Sequence, residues 1–405
     1  MHKIIKYLLF IFCGTLTLTS CQNEYIGQYP TDSTQHKPVS NVRVTNLPGA
    51  VELTYSLPDE KDMLYVKATY MKSNGEYAEY KASVFSNNML LEGFGKSQKT
   101  TVRLVSVDKS QNESLPVEVE IEPQDSPIYN IFENLHIEET FGGIRVTWEN
   151  PLRQEIMVGV LKRSDITGEL EYVDNFYSTE HYASNAIRGL DSISADFGVF
   201  VRDLHMNYTD TVLVTLTPYY EQEIPKSGFR EIPIAPYFAY HRSQANISTL
   251  WDLNYTNTSG YNYLYMRPGN DLMPYFTLDL GSKVKISRVR HWQRLNQAFQ
   301  LHNPRRFEWY GTNDKAVAED VATLGWEDNP AWTKLMTGES VRPSGLDAGD
   351  PITNEDSEYA AAGEDFEFYF DAPAVQYLRF KLVETWGGSD GLFLMELSLW
   401  GRVFE

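Results

Sequence analysis

The segment Pro-Tyr-Phe-Thr-Leu-Asp-Leu-Gly-Ser-Lys-Val-Lys-Ile-Ser-Arg-Val-Arg-His-Trp-Gln-Arg spans residues 274–294 and carries the clearest strand pattern in the chain. Apolar residues recur at every second position on both sides of Gly281-Ser282, with a slip near Ser287: Phe276, Leu278 and Leu280 before it, Val284, Ile286, Val289 and Trp292 after it. This period is typical of strands with one buried face. The segment therefore predicts two strands joined by a tight turn at Gly281-Ser282.

The same segment resembles the opening of a discoidin domain, also called the coagulation-factor type C domain. Three later motifs resemble that domain in the same order: residues 306–314 with a following Trp332, residues 375–382, and residues 395–401. The resemblance implies a discoidin-like (galactose-binding-like) β-sandwich jelly roll over residues 227–405.

The preceding part of the chain contains an internal repeat. The pattern of residues 42–58, short apolar strands around Pro48-Gly49, returns in residues 135–151 at an offset of about 94 residues. Each copy resembles a fibronectin type III domain, and we expect Trp148 to lie in the core of the second. The predicted fold class is all-β, with two tandem small β-sandwiches (fibronectin type III/immunoglobulin-like, residues 39–125 and 126–226) before the discoidin-like domain.

The N-terminus has the features of an export signal. Lys3 and Lys6 form a basic N-terminal region, and the apolar run from Ile4 to Phe12 is too short to span a bilayer; Leu18-Thr19-Ser20-Cys21 follows. These four residues resemble a bacterial lipobox, which implies a lipoprotein signal peptide (1–20), a lipid on Cys21 and a polar tether (21–38). The alternative is an ordinary signal peptide with a chance cysteine.

Composition limits the partners. The net charge is −20, with 35 basic and 55 acidic residues. Because phosphate binding needs clustered Lys and Arg, we expect no nucleic acid partner. Cys13 lies in the predicted signal peptide, so Cys21 would be the one mature cysteine and no intrachain disulfide is expected.

Two further stretches narrow the resemblance. Leu250-Trp251-Asp252, and residues 342–346 with 353–356, resemble a Bacteroidetes surface lipoprotein subfamily found beside outer-membrane glycan-import genes. The resemblance implies a non-catalytic accessory protein, lipid-anchored in the outer membrane and facing the cell exterior, that captures a glycan through its C-terminal domain. The alternative is a structural or protein-docking lipoprotein of an outer-membrane import complex or an adhesion system.

The resemblance also implies a structural Ca²⁺ site formed by Asp252, Asn254 and Glu396. Carboxylate and amide oxygens suit Ca²⁺, which takes about six to eight such ligands. Leu253 stands where the family loop has glycine, which departs from the pattern. The alternative is that Asp252 caps a turn and Glu396 pairs with an arginine.

The ligand face of such domains lies in the loops at one end of the sandwich. Sugars need an aromatic ring for their apolar face and planar polar groups for their hydroxyls. The candidates that provide these groups are Trp292, Arg294, Asn296, Phe299, His302, Tyr261, Tyr263, Trp386 and Asp390. Trp386, beside Gly387-Gly388, is the leading candidate. Trp292 is equally explained as a packing residue, and Tyr265, two residues after Tyr263, is interpreted as packing.

No catalytic motif is present in the sequence. It contains no Gly-x-Ser-x-Gly, His-Glu-x-x-His, P-loop or Gly-x-Gly-x-x-Gly pattern. Acidic pairs such as Glu364-Asp365 are expected by chance in so acidic a chain. We therefore predict that the protein is not an enzyme.

Overall fold

A computed structural model describes residues 33–256, 259–269 and 271–404. The predicted signal peptide, Cys21 and the first part of the tether lie outside these residues. Within them, no helix is long and apolar enough to cross a membrane. Strands dominate the backbone, and the predicted all-β class is confirmed.

The first sandwich consists of a three-stranded sheet in the order β1-β2-β5 and a four-stranded sheet in the order β4-β3-β6-β7. Its strands are β1 (Ser40–Leu47), β2 (Ala50–Ser56), β3 (Met63–Met71), β4 (Tyr77–Ser83), β5 (Asn88–Glu92), β6 (Thr100–Asp108) and β7 (Val117–Ile121). Alternate residues of β2, namely Val51, Leu53 and Tyr55, are buried in one hydrophobic core. The period-two pattern of the sequence therefore produces the expected half-buried strands.

The second set of sheets repeats this strand order. After α1 (Pro127–Glu133), one sheet runs β8-β9-β12 and the other β11-β10-β13-β14. The strands are β8 (His136–Thr140), β9 (Gly143–Glu149), β10 (Ile156–Arg163), β11 (Leu170–Ser178), β12 (Tyr182–Ile187), β13 (Ala195–Asp203) and β14 (Val212–Leu216). Trp148 is 1% exposed and stacks on Phe176, so its predicted core position is confirmed.

The repeat extends to individual turns. Gly49 and Gly142 both have φ of +67°, a backbone conformation that favours glycine. In each sandwich an aspartate accepts two hydrogen bonds from an asparagine four residues later, one from its backbone amide and one from its side-chain amide. The pairs are Asp108 with Asn112 and Asp203 with Asn207. The same local chemistry therefore shapes the same turn twice.

The C-terminal region contains an eight-stranded sheet. Its main path is β15-β24-β18-β22-β19-β20, and β16 and β21 also pair with β18; β17 and β23 form a separate pair. The strands are β15 (Gln222–Glu223), β16 (Arg230–Ile232), β17 (Leu264–Met266), β18 (Tyr275–Trp292), β19 (Pro304–Thr312), β20 (Thr333–Glu339), β21 (Glu364–Glu367), β22 (Val375–Thr385), β23 (Leu392–Leu394) and β24 (Glu396–Phe404). Two short helices, α2 (Lys315–Glu319) and α3 (Asn354–Ala362), lie between strands.

Strand β18 corrects one prediction. Residues 275–292 form a single long strand, so the predicted pair of strands with a tight turn at Gly281-Ser282 is wrong. The strand's pairing with β22 shifts register between Asp279 and Val284, and its second half pairs with β24 instead. Gly281 has φ of +75°, and a Cβ there would lie 2.7 Å from the carbonyl oxygen of Gly228. The glycine therefore bends the strand as a bulge does and leaves it in the sheet.

Candidate functional site

Three half-buried rings stack side by side at the loops around the β17–β23 pair. The rings of His241 and Tyr265 lie 4.4 Å apart at 19°, and those of Tyr265 and His302 lie 5.7 Å apart at 26°. Backbone hydrogen bonds join the loops that carry these rings: His241 N donates to the Tyr265 carbonyl, and Phe393 N donates to the His302 carbonyl. We call these three residues the ring stack.

Buried aromatic residues form the floor beneath the ring stack. Phe393 is 2% exposed, and its ring centroid lies 4.6 Å from that of Tyr265 and 4.7 Å from that of His302. Tyr263 and Trp292 belong to the same hydrophobic cluster. Because this floor is fully packed, the rings above it are held in one arrangement.

Three arginines lie around the ring stack. The guanidinium carbon of Arg294 lies 4.8 Å from the Tyr263 ring centroid and 4.7 Å from that of Phe393. The guanidinium carbon of Arg242 lies 5.3 Å from the centroid of the Tyr261 ring. Arg267 Nη2 donates a hydrogen bond to the His241 carbonyl at 3.0 Å. In the described part of the chain none of the three pairs with a carboxylate.

Both histidines of the ring stack have lowered pKa values. Burial lowers the pKa of His241, and the charges of Arg267, Arg242 and Arg294 lower it further. Burial also lowers the pKa of His302, where Arg294 acts in the same direction and Asp390 opposes it. Both imidazoles are therefore neutral at neutral pH, with one donor and one acceptor nitrogen each.

The structure brings together several of the predicted site residues. Tyr261 lies 5.0 Å from the His241 ring, and Tyr263, Arg294 and His302 surround Phe393. Asp390 lies nearby, but its carboxylate accepts hydrogen bonds from the amides of Gly269 and Asp271 and thus shapes a loop. Asn296 is exposed in a short turn of 3₁₀ helix.

The structure places Phe299 and Trp386 in a separate cluster. Phe299 is fully buried, Trp386 is 8% exposed, and their rings meet edge to face at 5.3 Å. The indole N–H of Trp386 donates to Ser340 Oγ, which donates to the buried Glu364. Trp386 therefore packs as a core residue in this structure, and its contact with a ligand stays a prediction that requires the loop to open.

Sequence reasoning missed His241, Arg242 and Arg267 and treated Tyr265 as a packing residue. The alternation of Tyr261, Tyr263 and Tyr265 was the available signal, since residues two apart in an extended chain share a face. No local motif marks His241, because only the hydrogen bond to Tyr265 brings it to the stack.

One of the expected Ca²⁺ residues, Glu396, pairs with a lysine. Glu396 is fully buried, and Lys226 Nζ lies 2.5 Å from its Oε1, whereas its Oε2 has no hydrogen-bond partner among the described residues. Asp252 Oδ1 accepts from the amide of Asn254, as the turn-cap alternative expects. Burial raises the pKa of Glu396 to about 7, against the opposing effect of Lys226.

These residues do not fit a calcium ion in this arrangement. The ammonium group already occupies one oxygen of Glu396 and supplies the positive charge that the buried carboxylate needs. The predicted arginine partner of Glu396 is instead Lys226. Calcium binding stays a prediction, and it requires Lys226 to move away.

A cleft of about 370 Å³ in the described chain offers another set of aromatic residues. Phe141, Tyr219 and Phe370 line it, with ring centroids 5.4–5.7 Å apart. Its arginines, Arg145 and Arg188, each pair with one carboxylate oxygen of Glu367. Its cations are thus already neutralised, unlike those at the ring stack.

One group in the first sandwich has metal-ligating side chains. Ligand atoms of His36, Asp62 and Asp108 lie within 4.8 Å of one another. However, Asp108 accepts both amides of Asn112, as Asp203 does from Asn207 in the second copy of the same turn. The turn accounts for Asp108 without a metal.

Three family models match the chain, and each is described as a domain of unknown function. They are DUF4959 over residues 36–123, DUF5126 over residues 124–227 and DUF5000 over residues 251–401. No curated protein matches the chain.

Several solved structures are similar to the chain. A SusE-like protein is 26% identical over 68% of this chain and 98% of its own, with a TM-score of 0.42. The module CBM32-3 from a family 31 glycoside hydrolase of Clostridium perfringens is 16% identical over 44% of this chain and 95% of its own, with a TM-score of 0.30. A segment of two fibronectin type III domains from chicken tenascin is 15% identical over 45% of this chain and 99% of its own, with a TM-score of 0.21.

Proposed function

We propose that the protein is a non-catalytic glycan-binding accessory protein, and that the ring stack of His241, Tyr265 and His302 binds the sugar. The observation that carries this proposal is the combination of stacked, half-buried rings with neighbouring guanidinium groups that pair with no carboxylate in the described ranges. A sugar ring packs its C–H face on aromatic rings and offers its hydroxyls to planar donors. Both kinds of group converge here.

The rings are also held in place before any ligand arrives. Phe393 supports two of them from below, and backbone hydrogen bonds join the loops that carry them. Such a preformed site loses little conformational entropy when a ligand binds.

The same proposal includes the location of the protein. The lipobox-like Leu18-Thr19-Ser20-Cys21 supports a lipid anchor in the outer membrane, and the polar segment that follows suits a tether. The captured glycan would then be delivered to an outer-membrane import complex. We expect Cys21→Ala to move the protein from the membrane fraction to the soluble fraction, and a variant that stays in the membrane would contradict the anchor.

Affinity electrophoresis of the full chain in gels containing neutral and charged polysaccharides tests the proposed binding. We expect at least one polysaccharide to retard the protein, and Tyr265→Ala and His302→Ala to abolish the retardation. Tyr359→Ala is the matched control, because Tyr359 is an exposed tyrosine on α3. Retardation by none of the polysaccharides, or equal loss in the control, would overturn the proposal.

A further inference from the structure

We infer that the glycan is anionic, a sugar bearing a carboxylate or a sulfate group, and that Arg242, Arg267 and Arg294 recognise its charge. This inference rests on the function proposed above and specifies the ligand class of the same site. It is carried by the positions of three guanidinium groups and by the absence of a carboxylate partner for any of them in the described ranges.

The ring stack brings together three arginines that pair with no carboxylate among the described residues. Acidic residues outnumber basic ones by 55 to 35, so carboxylates are plentiful. Other arginines of the C-terminal region use them: Arg288 pairs with Glu221 and Asp365, and Arg306 with Glu384. Arg230, Arg379 and Arg402 likewise have no carboxylate partner among the described residues, so what distinguishes the ring stack is that three such arginines cluster around one group of rings.

Loop residues outside the described ranges add no carboxylate near these arginines in sequence. They are Asn257, Thr258 and Asn270, and none of them is acidic. The carboxylate of Asp390 acts to raise the pKa of His302, but it also accepts hydrogen bonds from the backbone amides of Gly269 and Asp271. An external anion would therefore be the missing counter-charge.

Arg294 shows the strongest need for an anion. Its guanidinium lies over the rings of Tyr263 and Phe393, and its buried Nε has no hydrogen-bond partner among the described residues. Leaving a buried donor unsatisfied destabilises the folded state. A carboxylate or sulfate would pair with the Nη groups of Arg294, because two acceptor oxygens match the planar fork of a guanidinium.

Hydroxyl recognition would be left to the neutral histidines. His302 Nδ1 already bonds Ser389 Oγ at 2.5 Å, which orients the ring and leaves Nε2 for another partner. The charge and the hydroxyls of one sugar would thus be recognised by different residues of the same site.

The experiment compares polysaccharides that differ only in charge. Dextran and dextran sulfate form one pair, and methyl-esterified and free polygalacturonate form the other. Binding to the full chain is measured by affinity electrophoresis and calorimetry at low and high salt. The net charge of −20 repels polyanions at long range, so binding must come from a local site.

We expect the charged member of at least one pair to bind more tightly than its neutral partner, and this preference to weaken at high salt. Arg294→Gln should weaken binding by about tenfold or more, since a lost charge-assisted hydrogen bond is worth roughly 1.5–3 kcal/mol. Arg242→Gln and Arg267→Gln should each weaken it less. Arg306→Gln is the matched control and should leave binding unchanged, because Arg306 is exposed and pairs with Glu384.

Two outcomes separate the anionic ligand class from the glycan site itself. Equal binding of charged and neutral partners, lost in Tyr265→Ala but kept in the arginine variants, would overturn the anionic class and leave the glycan site standing. Charged binding that survives Arg242→Gln, Arg267→Gln and Arg294→Gln together would also overturn the inference. No binding of any polysaccharide would sink both. If Arg294→Gln fails to fold, the exposed Arg242 and Arg267 carry the test.

Discussion

At the scale of single residues, Lys226 and Glu396 form the most consequential pair. Glu396 is fully buried and would be destabilising if it were ionised alone. Lys226 supplies a covalently attached cation in the place where the resemblance implies a calcium ion. Lys226, which lies just before β16, thus provides the positive charge that balances Glu396.

The first prediction concerns calcium. Neither millimolar calcium nor a chelator should shift the thermal unfolding of the wild-type protein, because Lys226 already neutralises Glu396. Lys226→Met should be less stable and should gain stability when calcium is added, since the oxygens of Glu396 become available to a metal. Thermal unfolding with and without calcium measures both effects. A calcium-dependent wild type would show that Lys226 does not replace the ion.

The second prediction concerns pH. The folded pKa of Glu396 is raised from 4.5 to about 7, so the folded state holds a proton that the unfolded state releases between these values. Stability is therefore highest below about pH 4.5 for this group and falls as the pH rises to about 7, by roughly 3 kcal/mol at most.

Urea unfolding at pH 5 and pH 8 measures this loss. Glu396→Gln removes the titrating group, so the difference between the two pH values should shrink in that variant. An unchanged difference would assign the pH dependence to other groups.

The third prediction concerns Trp386. Its ring packs on Phe299, and its indole N–H reaches Ser340. Trp386→Ala should therefore lower the free energy of unfolding by about 3–5 kcal/mol. Trp386→Phe keeps the packing but not the hydrogen bond and should cost less. If Trp386→Ala unfolds like wild type but loses glycan binding, the tryptophan is a ligand platform after all.

At the scale of elements, hydrogen bonds between its own residues hold the segment 337–363 together. It contains α3 with a capping box formed by Thr353 and Asp356. Arg342 Nε donates to the fully buried Asp356 at 2.9 Å, and other nitrogens of Arg342 reach the carbonyls of Asp347 and Pro351. One arginine thus joins three separate positions of the segment.

The fourth prediction tests these contacts. Burial alone would raise the pKa of Asp356, but the amides of Thr353 and Ser344 and the Arg342 guanidinium outweigh it and hold the pKa well below its usual value. Arg342→Leu should destabilise the protein by about 3–5 kcal/mol, because it leaves a buried charge unpaired. Arg306→Gln, at an exposed pair, should change stability by less than about 1 kcal/mol. Equal denaturant midpoints for the two variants would contradict this reading.

Strand β18 shows which features of an element a local sequence pattern predicts and which it does not. Alternation predicted the buried residues Phe276, Leu278 and Ile286 correctly. It did not distinguish a turn from a bend at Gly281, since both need the same backbone conformation. The neighbours β22 and β24, more than eighty residues away in sequence, determine which of the two forms.

At the scale of the whole molecule, the repeated strand order confirms what the sequence repeat indicated. Both copies arrange their sheets in the same order, and both contain the Asp–Asn turn. The all-β class was predictable because period-two alternation and turn residues are local properties. The predicted domain boundaries at 125 and 226 stay predictions.

The sequence by itself determined the fold class, the tandem repeat and the region that holds the candidate site, because these follow from local patterns and quoted motifs. The tertiary structure alone decided which side chains meet there. His241 reaches Tyr265 across a backbone hydrogen bond, Trp386 turns inward to Ser340, and Lys226 reaches Glu396 across 170 positions of sequence. Such contacts depend on strand pairing between distant segments, which no local pattern encodes.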